Sequence, residues 1–133
     1  MKKLLLILIC LVGFISAYSQ TQWYKSKSYA YKDSDYYGNW NNWSSWIKCN
    51  VNIKFDLNSD LIVIFSNKTQ VYRVTEFNGT KYENDGSQQA YFKAVDQEGD
   101  RCGIRLRIES NGNSQIYVEF SNVMWVYNVI RIS

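Results

Sequence analysis

The 133-residue chain has no histidine, no proline and only three cysteines. Without histidine, no catalytic triad, general base or metal site that depends on imidazole can be built within the chain. Charge of one sign is also scarce. Fifteen Lys+Arg face twelve Asp+Glu, a formal net charge of +3 that falls to +1 once the leader residues Lys2 and Lys3 are set aside. That excludes the basic footprint on which nucleic-acid binding rests. Beyond the N-terminus no apolar run approaches the ~20 residues a membrane-crossing helix needs. No window of the chain carries a convincing helical period, and no Gly-rich phosphate loop or internal repeat is visible. What the chain has in excess is aromatic rings, 17% of residues, with 5 Trp and 11 Tyr against 6 Phe. The composition is that of a globular, β-leaning domain.

Met1-Lys2-Lys3 forms a short basic segment, and Leu4 to Ile15 is an apolar run broken by Gly13. Ser16-Ala17-Tyr18-Ser19 then places small residues for cleavage before Gln20, the layout of a secretory signal peptide. Residues 1–19 are therefore read as signal. Residues 20–45 are an aromatic-rich strand and loop, and 46–133 an antiparallel meander that forms one domain with them. Export predicts a secreted or periplasmic protein with no membrane span in the mature chain. It also makes a disulfide permissible between Cys49 and Cys102, the two cysteines left once Cys10 departs with the signal. The Lys-Lys start, the Ser-Gln junction and the Tyr/Asn-rich opening resemble those of small secreted β-rich proteins of Bacteroidetes. That resemblance implies export and carries no activity.

The strands are legible from Trp46 onward. Ile47, Cys49, Val51, Ile53 and Phe55 alternate with Lys48, Asn50, Asn52, Lys54 and Asp56, giving one dry face and one wet face. Asn58-Ser59-Asp60 turns the chain into Leu61 to Phe65, and Asn67-Lys68 reads as a two-residue hairpin loop into Thr69 to Phe77. Further turns are expected at Asn78-Gly79, Asn84-Asp85-Gly86, Glu98-Gly99-Asp100 and Asn111-Gly112-Asn113. Strands follow at Ala90 to Val95, Cys102 to Glu109, Gln115 to Phe120 and Val123 to Ile132. One or two more lie within Gln22 to Lys32. About eight short antiparallel strands with short loops predict an all-β meander. It must hide its edges, and an up-and-down barrel of the lipocalin or streptavidin kind is preferred over a β-sandwich.

The densest anomaly runs from Tyr29 to Trp46, with Tyr31, Tyr36, Tyr37, Trp40 and Trp43 between them, interleaved with Asn, Ser and Asp. Two roles fit. The segment folds back to plug one end of the barrel, or it presents flat rings beside amides and carboxylates, the combination that holds sugar rings and anchors protein interfaces. The second role names Trp40, Trp43, Trp46, Tyr36 and Tyr37 as ligand-binding residues, with a glycan or protein as partner. Trp40-Asn-Asn-Trp43-Ser-Ser-Trp46 and Arg105-Leu-Arg107 locally resemble thrombospondin type 1 repeats. Those are shorter modules with more cysteines, so only the idea that Arg105 and Arg107 stack on aromatics across the sheet is kept. Asp33-Ser-Asp35 and Asp96 to Asp100 do not match a calcium loop. No carboxylate spacing points to a catalytic pair. The expectation is a non-catalytic binding module without metal or cofactor. Its alternatives are a protein-interaction or inhibitor-type envelope protein and a small barrel that carries an apolar ligand.

Overall fold

The computed structural model describes residues 21–133; the signal reading of 1–19, with Cys10, lies outside the described residues. The described chain is eight antiparallel strands, β1 Thr21–Asp33, β2 Ile47–Asp56, β3 Leu61–Phe65, β4 Gln70–Tyr82, β5 Gln88–Val95, β6 Arg101–Ile108, β7 Ser114–Glu119 and β8 Val123–Arg131. Each pairs with its neighbours in sequence, and β1 pairs with β8 to close the barrel. Closure satisfies the outer backbone edges that an open meander would leave exposed. The C-terminus helps it: Trp23 N donates to Ser133 O and Ile132 N to Trp23 O, at 3.0 and 2.9 Å.

Turn chemistry sets this topology. Four connections share one pattern, in which the first residue's N–H bonds the fifth residue's carbonyl and the fourth residue's N–H bonds back to the first. It occurs at Asp35–Asn39, Glu83–Ser87, Asp96–Asp100 and Glu109–Asn113. The fourth residue is always glycine, because the bulge closing a three-residue hairpin needs a positive φ, 85° at Gly38. Asp35 and Asp96 use their carboxylates to cap these turns, accepting two backbone N–H groups each at 2.8–2.9 Å.

Two turn expectations are corrected. Asn78-Gly79 lies inside β4, which runs on to Tyr82. The register slips between Phe77 and Thr80, and Gly79, with φ 99°, absorbs the slip as a bulge. The β3–β4 connection spans four residues, 66–69, because β3 stops at Phe65 and β4 begins at Gln70.

Inward residues fill the barrel. Ile53, Ile62, Ile64, Phe92, Ile104, Ile116 and Val118 are fully buried, and Tyr24, Phe55, Phe92 and Phe77 form a run of ring contacts at 5.0–5.8 Å. Cys49 and Cys102 both face inward, yet they sit on β2 and β6, four strands apart on opposite walls. Both are free thiols, so the expected disulfide does not form. Burial and the nearby Asp96 push the Cys102 thiol up to about 12.

Candidate binding site

The loops β1–β2, β3–β4, β5–β6 and β7–β8 share one end of the barrel, its upper end. The geometry there follows from two local irregularities. The first is a bulge in β1, where the register against both neighbours slips between Ser26 and Ser28. Gln22, Tyr24 and Ser26 are the buried residues below it. Above it the period has shifted by one, so Tyr29 packs on the core and pairs with Tyr127, while Tyr31 pairs with Trp125. The second irregularity is the shortness of β3. Its register with β2 ends at Asn52↔Phe65, so Ile47 to Val51 keep β1 on one side and have no β3 partner on the other.

A notch results between the upper half of β2 and the 66–69 loop. It opens into a cavity of about 710 Å³ whose lining includes Tyr29, Tyr31, Ile47, Cys49, Gln70, Trp125 and Tyr127. A second cleft of about 340 Å³ adjoins it and shares Ser66, Lys68, Gln70 and Trp125. Polar groups, Lys48, Asn50, Asn67 and Lys68 among them, share the lining about equally with the rings, and a few are fixed by hydrogen bonds. Tyr72 OH donates to Gln70 Oε1 at 2.5 Å, and Gln70 Nε2 reaches Ser66 Oγ at 3.0 Å and Tyr127 OH at 3.4 Å. Burial pushes the Tyr127 phenol upward, and the Gln70 amide and Trp125 indole beside it oppose that shift in part. Trp125 Nε1 is shielded from solvent, with the Tyr127 phenol beside it. Cys49 Sγ contacts Ser26 O and Oγ at 3.6–3.7 Å on the same wall.

The residues singled out from sequence lie elsewhere at this end. The Tyr29–Trp46 cluster is not one unit: Tyr29 and Tyr31 line the notch, and the rest ride on the outside. Tyr36 and Tyr37 form the tip of the β1–β2 loop, edge to face with centroids 5.4 Å apart. Asn41 N and Ser44 N bond back to the carbonyls of Asp33 and Tyr31, laying 40–46 along β1. Trp43 and Trp46 then cover Ala30 and Val126, which the bulge has turned to the outer face and which this segment buries. Lys32 Nζ lies 5.5 Å from the Trp40 ring centroid and 4.7 Å from that of Trp43. Trp43 meets Tyr117 edge-on, and the Arg105 guanidinium stacks 3.9 Å from the Tyr117 ring centroid. Arg105 thus stacks on an aromatic, whereas Arg107 pairs with Asp85 and Glu109. Trp40, Trp43 and Trp46 remain 40%, 39% and 52% exposed. Trp40 and Trp43 belong to an outer cation–aromatic ladder, Trp46 lies beside it over Ala30 and Val126, and none of the three plugs the barrel.

Lys32→Ala is expected to cost about 0.5–1 kcal/mol, the worth of a partly exposed cation–π contact. It should also raise acrylamide quenching of tryptophan fluorescence. Unchanged stability and quenching would mean that Lys32 does not brace the two indoles.

Sequence reasoning missed the notch. Its lining residues are scattered over five strands and the loop, and only the alternation of Ile47, Cys49 and Val51 hinted at an inward wall there. Compared with protein-family models, curated proteins and solved structures, the chain matches none.

Proposed function

We propose that this protein is an exported, non-catalytic binding module whose ligand, a small and largely apolar molecule, sits in the notch at the upper end of the barrel. The observation that carries this reading is the 710 Å³ cavity walled by Tyr29, Tyr31, Trp125 and Tyr127. Concave, mostly apolar sites of about 300–1,000 Å³ with a few placed polar groups, often in barrel mouths, are where small ligands bind. The well-packed remainder of the barrel gives that wall a rigid frame.

The test uses N-phenyl-1-naphthylamine, a neutral apolar fluorophore, and thiol labelling of Cys49 read by peptide mass. The expected result is binding near the micromolar range, about −8 kcal/mol, with Cys49 protected while the probe is bound. Tyr31→Ala/Trp125→Ala is expected to weaken binding at least about tenfold, since both rings are contact surfaces and neither is a fully buried core residue. Trp40→Ala/Trp43→Ala/Trp46→Ala should leave it unchanged. Binding that ignores the first variant and vanishes in the second would move the site to the outer ladder.

A second reading is favoured by the exposure of Tyr36 (97%) and Tyr37 (84%) on a loop braced by Asp35 and Lys32. In it, the loop tip and the outer tryptophans form a platform for a glycan or a protein partner. Loss of binding to soluble oligosaccharides in the Tyr36→Ala/Tyr37→Ala variant, with probe binding intact, would support it.

A further inference from the structure

This inference rests on the binding reading above and specifies its ligand. We infer that the notch takes an amphipathic anion, a flat apolar body bearing one acidic oxygen group such as a carboxylate or sulfonate. The two lips of the notch each contribute a lysine, Lys48 on β2 and Lys68 in the 66–69 loop, and neither forms an ion pair among the described residues. No aspartate or glutamate is among the residues lining the notch. Of the acids at this end, Asp96 and Glu98 line the adjoining cleft, where the Asp96 carboxylate is occupied by the backbone N–H groups of Glu98 and Asp100, and Asp33 and Asp35 are held within the β1–β2 loop.

A bound cation would meet two ammonium groups and no countercharge, so it is disfavoured. A neutral apolar body satisfies the rings but leaves the lysines without a role. An anion satisfies both. Tyr29 and Tyr127, paired across β1 and β8, lie in contact with centroids 5.9 Å apart and an interplanar angle of 36°, and together form one aromatic wall for a flat body to lie against.

The experiment compares 8-anilino-1-naphthalenesulfonate with N-phenyl-1-naphthylamine on the full protein. The two probes share one aromatic body and differ by the sulfonate. The anion is expected to bind about tenfold tighter, and only its affinity should fall with added salt. In Lys48→Gln/Lys68→Gln, a surface change that spares the core, the difference should shrink to about twofold or less. Both probes should protect Cys49 from alkylation. Equal affinities with Cys49 protected in each case would overturn the anion inference while leaving the binding reading intact. Tighter binding of the sulfonate that neither protects Cys49 nor responds to the lysine changes would place the anion elsewhere, overturning the inference. Failure of both probes to bind would sink the inference together with the reading beneath it.

Discussion

Between about pH 9 and pH 12 the protein is expected to lose on the order of 5 kcal/mol of stability and to unfold cooperatively. The barrel buries acids that must be neutral to stay there. Burial holds the Tyr24 phenol up from 10.0 to about 12 against an opposing pull from Arg131. Burial, reinforced by Asp96, holds the Cys102 thiol up from 9.0 to about 12. Tyr72 is pushed up as well, again first by burial and then by Cys102, Tyr127 and Asp96 around it. The sign follows from proton counting. An acid that ionises later in the folded chain than in the unfolded one leaves the unfolded state with fewer bound protons at high pH, so stability falls as pH rises. That loss begins near the unfolded values, about 9 to 10, and is complete near the folded ones. Each tenfold difference in acidity is worth about 1.4 kcal/mol, and a domain of this size has only about 5–15 kcal/mol in hand. Near-UV circular dichroism and phenolate absorbance should therefore change together in one transition. Cys102→Ala should flatten the fall in urea stability above pH 9 without altering it near pH 7 beyond the cost of the lost sulfur. A chain whose dichroism and urea midpoint hold constant to pH 12 would show that these groups are not shielded from water.

Much of the barrel is written locally, and the notch is not. The alternation from Ile47 to Phe55, and again at Ile104, Leu106 and Ile108, reports one buried face each, because a strand's side chains alternate whatever its partner. Glycine-bearing turns report where the chain reverses, and short reversals between successive strands leave a meander little choice but to close. Asn78-Gly79 misleads for a physical reason. The same positive φ that makes Asn-Gly a hairpin turn also serves a bulge inside a strand, and only the partner strand decides between them. The bulge at Ser26–Ser28 has no sequence mark at all, yet it turns Tyr29 and Tyr31 into the notch and sends Ala30 outward. The aromatic run therefore reads as one cluster in sequence and divides into two sites in space. The two cysteines fail in the same way: their faces are legible, but whether opposite walls approach within the ~7 Å a disulfide needs depends on the barrel's closure.

Phe92→Ala is expected to cost about 3–5 kcal/mol, far more than truncating a ring on the outer surface, and to do so without altering the notch. Phe92 is fully buried and touches rings on two sides, Phe55 at 5.8 Å and Phe77 at 5.0 Å, so removing it opens a cavity that backbones tied into a closed ladder cannot collapse to fill. The comparison is Phe65→Ala. That ring is 43% exposed and stacks on Trp23 at 5.9 Å on the outer surface, and its loss should cost less than about 1 kcal/mol. Urea unfolding with an unchanged slope checks both, because a shift in midpoint alone reports stability and not a change in the surface exposed. The contrast matters for function. Tyr31→Ala, whose ring is 46% exposed, should weaken probe binding with little loss of stability, whereas Phe92→Ala should weaken stability and leave probe affinity as it was at temperatures where the variant is folded. If Phe92→Ala instead costs under about 1.5 kcal/mol and also loosens probe binding, the packed interior and the notch are one soft cavity. The rigid wall on which the binding reading depends would then be gone.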